Sequence, residues 1–213
     1  MTSPPPSPGP RPPKPRLLQD GRDMFWSLAP LIVACMVLAG LVGTCSFRPR
    51  GPADGAAPTY DASAALRADA DVLSFPVRLP ALPPGWQANS GARGGIEDGR
   101  IDVATGQRQD AETTRVGYIA PSKMYVSLTQ SNADEAALVA SIQSEVYPTG
   151  VQEIERVKWI VYEGGEGIEP VWTTRLAGPG GSAQLAVTGA GSPDDFRTLA
   201  AATQTQQPIT PNG

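Results

Sequence analysis

The sequence predicts an α+β protein: one N-terminal transmembrane helix followed by a mostly antiparallel sheet with helices packed on it. Three observations carry this. Met24 to Phe47 contains no charged residue, and at about 1.5 Å rise per residue a helix of that length covers the roughly 30 Å hydrocarbon core of a bilayer. Downstream, short runs rich in Val, Ile, Tyr and Trp recur between Gly- and Pro-rich turns, the signature of strands in a sheet. Two of those strand groups lead into acidic helix starts, at Asn132 and at Ser192.

Residues 1–23 are expected to form a disordered, proline-rich cytoplasmic tail, because MTSPPPSPGPRPPKPR cannot build helix or sheet. The piece from Pro10 to Pro15 also fits a proline-binding groove, but a basic tail that sets topology explains it with less. Arg11, Lys14, Arg16 and Arg22 outnumber Arg48 and Arg50 on the other flank, which favours a cytoplasmic N-terminus and an extracytoplasmic C-terminal domain. Residues 24–47 are the expected span, with Phe25 and Trp26 where an interfacial aromatic belt belongs. A lipoprotein signal ending at Cys35 or Cys45 competes with this reading. Against it stand the length of the apolar run and the poor fit of Thr44 before Cys45. Ala39 with Gly43 and Gly40 with Thr44 share helix faces at a spacing that allows close helix pairing.

Residues 48–70 read as a linker rich in Gly, Pro and Ala, with helix-forming sequence near its end from Ala62 to Asp71. The domain proper is expected over 71–203. Phe75, Val77 and Leu79 alternate with Pro76 and Arg78, a strand pattern, and Pro83 to Gly85 is a turn before Trp86. Asn89 to Gly99 is Gly-rich and reads as a loop. Arg115–Ala120 and Met124–Gln130 form a predicted hairpin across Pro121 to Lys123, and a helix is expected from Asn132 to about Ser144. Val157–Tyr162, Glu169–Leu176 and Ser182–Thr188 read as three further strands. The last helix starts at Ser192, its cap, with Pro193 in the first turn and Phe196, Leu199 and Ala200 on its buried face. Residues 204–213 read as a flexible C-terminal tail. The order strand, strand, acidic helix start occurs twice, which suggests two strand-strand-helix halves; shared capping chemistry accounts for the likeness equally well.

Charge and composition exclude several functions. The chain carries a net charge of -4, and the part beyond the span is the more acidic, without a basic stripe, which argues against a nucleic-acid partner. There is no histidine, so the commonest general base and the commonest zinc ligand are missing. Both cysteines lie in the apolar stretch. Lys123 and Lys158 sit in no Ser-x-x-Lys pattern. The acidic pairs Asp134/Glu135 and Asp194/Asp195 are explained as helix N-terminal charges. Glu163, Glu166 and Glu169 lack the ligand alternation of a calcium loop. No catalytic, cofactor-binding or metal residue is therefore assigned, no cofactor is expected, and the chain is read as not an enzyme. The aromatic set Trp86, Tyr118, Tyr125, Trp159, Tyr162 and Trp172 is the candidate ligand or partner surface, against the plainer reading that strand aromatics form the core.

The segments LLQDGRDMFWSLAPL, FPVRLPALPPGW and RVGYIAPSKMYVSLTQSNADEAALV together resemble actinobacterial single-pass membrane proteins grouped under a domain of unknown function. That resemblance implies a cell-envelope location and supplies no activity. A strand with Leu-Pro and then Gly-Trp is similar, at fold level only, to the opening of Mog1/PsbP-type α+β sandwiches. The expected function is a non-enzymatic, membrane-anchored envelope domain binding a protein or a cell-wall component. The alternative is a tethered small-ligand or lipid-binding carrier. An unrecognised enzyme is a third class.

Overall fold

In the computed structural model, residues 28–37, 58–97, 101 and 104–211 are described. The chain divides into two units, Met1–Gly55 and Ala56–Gly213. In the first, residues 28–37 are helical (α1), and Leu28, Leu31, Ile32, Val33, Met36 and Val37 are all exposed. Among the described residues no helix is long and apolar enough to cross a membrane. The rest of the expected span, the 1–23 tail and the linker as far as residue 57 lie outside the described residues.

The second unit is α+β. Its elements run α2 (Ala62–Ala70), β1 (Gln87–Ile96), β2 (Ala111–Ile119), β3 (Tyr125–Ser131), α3 (Glu135–Ile142), β4 (Tyr147–Ile154), β5 (Val157–Glu163), β6 (Val171–Gly178), β7 (Gly181–Gly189) and α4 (Pro193–Gln204). The seven strands make one sheet in the order β1-β2-β3-β7-β6-β5-β4, every neighbour antiparallel. Its centre is the β3–β7 pair, where Leu128 faces Val187 and Ser127 faces Thr188.

Strand alternation sorts the core into two layers. Val126 and Leu128, with Ala183, Leu185 and Val187, join Leu66 of α2 and Phe196, Leu199 and Ala200 of α4 in the larger cluster. Ala186 and Val171, which point the other way, join Leu138 and Val139 of α3. Helices thus cover both faces, α2 and α4 on one and α3 on the other. Leu66, Leu199 and Phe196 are almost fully removed from water, each contributing about 1.5–3 kcal/mol of burial.

That arrangement bears on the two expected halves. Three strands match on each side of the β3–β7 seam, β1-β2-β3 and β5-β6-β7, with β4 added at one edge, but a two-fold axis relating antiparallel neighbours stands normal to the sheet and keeps both helices on one face. Here α3 and α4 lie on opposite faces, so the halves share a strand order and not a fold.

Several expectations are corrected. The Gly-rich stretch read as a loop over 89–99 contains most of β1. Gly91 sits against the Tyr60 ring where a Cβ would collide, and Tyr60 N–H donates to Ala88 O at 3.0 Å, so pairing and close approach override the weak strand propensity of glycine. The expected strand at Phe75–Leu79 is extended chain outside the sheet. Its backbone is held by a side chain: Gln130 Oε1 accepts from Arg78 N–H and Gln130 Nε2 donates to Arg78 O, both at 2.8 Å. β4 was not expected; Pro148 and Gly150 break its pattern and flank a register shift. The helix expected over 132–144 is shorter, and Asp134 makes no side-chain cap bond.

The domain limits move as well. Helix α2, placed in the linker, belongs to the folded unit: Ala62, Leu66 and Ala70 are buried, and Asp69 accepts from Thr114 Oγ1 at 2.5 Å and pairs with Arg93 at 2.9 Å. The C-terminal residues are not a free tail through Ile209. Its N–H donates to Val77 O at 2.8 Å, Ile209 packs on the larger cluster, and the buried Arg78 donates from Nε to Gln206 O and from Nη2 to Ala177 O. Burial lowers the pKa of that guanidinium.

Candidate functional site: a charged aromatic cleft

The six aromatic candidates do not form one surface. Trp86, Tyr118, Trp159 and Trp172 lie in or against the larger core cluster. Trp159 is completely buried and its indole N–H donates to Gln204 Oε1 at 2.8 Å. Tyr118 meets Trp86 edge-to-face at 6.5 Å; burial, then the neighbouring Tyr60, raises its phenol pKa. Tyr162 packs on the opposite, α3 side, donating its hydroxyl to Glu135 Oε1 at 2.6 Å, and burial together with that carboxylate pushes its pKa up to about 12. Tyr125 lies over Gly117, its hydroxyl where a Cβ would stand. Trp172 alone of the six lines a described cleft.

That cleft, about 210 Å³, opens between β4, β5, β6 and the start of α4, lined by Gln152, Val161, Glu163, Trp172, Phe196 and Arg197 among others. Its floor follows from register. Val161 pairs with Trp172 across β5 and β6, so both point to the α4 face, and Phe196 stacks on Trp172 at 5.4 Å and 28°. The helix start is fixed by a capping box: Ser192 Oγ accepts from Asp195 N–H, and Asp195 Oδ2 accepts from Ser192 N–H and Oγ–H. Burial alone would raise the Asp195 pKa, but bonds from Ser192 and from the Ser122 hydroxyl outweigh it and lower it. Arg197, one turn on, lies over the Trp172 ring at 5.9 Å. It pairs with Asp194 at 2.7 Å and donates to Gln152 Oε1 at 3.3 Å. Glu163 accepts from Thr149 Oγ1 at 2.7 Å. The result is an apolar floor with a cation on one wall and a carboxylate on another.

A second cavity, about 310 Å³, lies between residues 73–77, the β6–β7 turn and the C-terminal segment; Leu73, Phe75 and Val77 line it with Pro76, Pro179 and Pro208. Ser74 at its wall donates from Oγ and from N–H to Glu112 Oε2, at 2.5 and 2.9 Å, and accepts from Asn132 Nδ2 at 2.8 Å. Glu112 N–H donates to Asn132 Oδ1 at 2.8 Å. These bonds close a ring that staples the 74 segment to β2 and the end of β3. A serine on a carboxylate meets half of the nucleophile–base requirement, and here both groups are taken up in that ring. Among the described residues no group of three or more His, Cys, Asp and Glu side chains is placed to hold a metal ion.

Fold and cleft thus define a mixed α+β domain, one antiparallel sheet with helices on both faces and an amphoteric cleft at the start of its last helix. The chain belongs to the family described as a protein of unknown function (DUF4245), which matches residues 16–203. No curated protein and no solved structure matches it, so the expected likeness to Mog1/PsbP-type sandwiches has no match behind it.

Proposed function

We propose that this protein is a membrane-tethered envelope domain that binds another protein or a cell-wall component and performs no chemistry of its own. The carrying observation is α1. Its large apolar side chains are exposed in every direction, from Leu28 at 46 % to Met36 at 69 %, within a stretch that lacks charge from Met24 to Phe47. An apolar helix without a polar face calls for lipid around it. A tether with a compact domain behind it is the arrangement of a module whose place in the envelope matters as much as what it grips. The cleft beside α4 favours a second reading, in which the tethered domain carries a small ligand.

Topology is the test. In a Cys35→Ser, Cys45→Ser background, Lys158→Cys on an exposed strand position is labelled with a membrane-impermeant maleimide in intact native cells. Labelling before lysis, with the protein retained in the membrane pellet after an alkaline wash, is the expected outcome. Labelling only after lysis, or release by the wash, overturns the reading.

A further inference from the structure

Arg197 and Glu163 line the same cleft, yet they form no ion pair with each other. Arg197 is turned to Asp194 and Gln152, while Glu163 is met by the neutral hydroxyl of Thr149. Arg197 uses one hydrogen on each terminal nitrogen in those bonds, which leaves Nε–H and the second hydrogen of each for another acceptor. Glu163 likewise keeps acceptor capacity beyond the one hydroxyl. Two opposite charges thus face one space without neutralising each other, and the floor between them is Trp172, Phe196 and Val161. Trp172 is only 5 % exposed, so an occupant meets its rim and the edge of the Arg197 stack. At about 210 Å³ the cleft exceeds the ~150 Å³ that holds a benzene-sized molecule, which sets the scale at a single amino acid.

We infer that this cleft binds a zwitterionic amino-acid ligand. The ammonium group sits on Glu163, the carboxylate on Arg197, and an apolar side chain lies against Trp172 and Phe196. The inference rests on the second, small-ligand reading above and names its ligand chemistry. Glu163, met only by a neutral hydroxyl, offers the ammonium an uncompensated carboxylate, and Arg197, already paired with Asp194, offers the ligand carboxylate its remaining N–H donors; charge-assisted hydrogen bonds are the strong ones. A free amino acid and a dipeptide with both termini free share this chemistry.

The test is an NMR titration of the full chain in detergent micelles, labelled with nitrogen-15 tryptophan, the Trp172 indole signal assigned by Trp172→Phe. Leucine and Leu-Leu are the two zwitterionic probes; N-acetyl-leucine and leucinamide each lack one charge. Trp172 is expected to shift with a Kd in the millimolar range for at least one zwitterion, and each blocked form to bind about tenfold or more weakly. Leucine binding marks the free amino acid as the source; binding of Leu-Leu alone marks a peptide. Glu163→Gln should weaken the zwitterion about tenfold and leave N-acetyl-leucine unchanged, and Arg197→Gln should weaken the zwitterion by a similar factor and leave leucinamide unchanged. No shift with either zwitterion up to about 50 mM, far above a millimolar Kd, overturns the inference; so does equal affinity for the blocked forms. Either result leaves the topology test standing, so the two failures are distinguishable.

Discussion

Gln130 is the side chain on which the folding of the 75–80 segment turns, and Gln130→Leu tests it. The side chain is 1 % exposed and gives Arg78 the two hydrogen bonds a neighbouring strand would have given. Leucine has similar volume but leaves a buried N–H and a buried carbonyl without partners. Each such group costs about 1–3 kcal/mol, and the gain from burying a more apolar side chain offsets about 1–2 kcal/mol of the sum. The net loss centres on about 2.5 kcal/mol, which for a unit the size of Ala56–Gly213 lowers Tm by about 5–10 °C. Gln130→Glu separates hydrogen bonding from packing. Protonated, the carboxyl can still accept from Arg78 N–H and donate to Arg78 O; ionised, it presents a second oxygen to that carbonyl. Its folded-state pKa is therefore raised, so its stability is fully present below the unfolded value near 4.3 and is lost as pH rises through the folded one. Thermal circular dichroism of the full chain at pH 4 and pH 8 is the assay. A Gln130→Leu Tm within about 2 °C of the native one, or a Gln130→Glu deficit identical at both pH values, would refute the reasoning.

Three further outcomes follow from other positions. Gly189 holds φ at +138° and a Cβ there would fall on the carbonyl oxygen of Tyr125, so Gly189→Ala should lower stability by about 3 kcal/mol or more in urea unfolding, because the obstacle is backbone and cannot swing aside. Leu66→Ala, at a fully buried position in α2, should cost about 2–5 kcal/mol by the same measurement; a silent result would return α2 to the linker. Tyr162 titrates near 12 when folded against about 10 unfolded, so its neutral form contributes stability that is complete below pH 10 and fades as pH rises toward 12. Tyr162→Phe should therefore flatten the native protein's loss of Tm across that interval.

What the residues disclosed and what they hid divide along a physical line. The β2–β3 hairpin was legible because Val116 and Tyr118 alternate with polar neighbours and face Leu128 and Val126 in register, and α4 because Ser192, Pro193 and Asp195 spell out its cap. Both signals are local. β1 was hidden because Gly91 makes room for Tyr60, a residue outside the strand, and β4 because a proline and a bulge disguise an edge. Phe75, Val77 and Leu79 carried a true alternation whose backbone bonds go to the Gln130 side chain and to the Ile209 N–H instead of a strand, which no periodicity reveals. Gln152, Glu163, Trp172 and Arg197 come from three strands and a helix. Their convergence is a product of register, and of the four only Trp172 carried a signal of its own. The aromatic set failed as a surface for the reason that makes aromatics conspicuous: Trp159 and Trp172 are the largest apolar groups at hand, and the core takes them first.

The fastening of the C-terminal residues onto the 75–80 segment, with the β3–β7 pair at the middle of the sheet, has a consequence for synthesis. A ribosome delivers this chain from its N-terminal end, and β1 to β3 can pair as soon as they emerge. Their inner edge then stays open, with Val126 and Leu128 uncovered, until residues 181–204 arrive to dock β7 and lay α4 over them. The unit therefore closes from its two ends toward its middle, and β7 with α4 is the clasp. Loss of β7 and α4 would not trim a loose end. It would leave the centre of the sheet as an unpaired edge, the part of a β protein most prone to pair with the wrong chain.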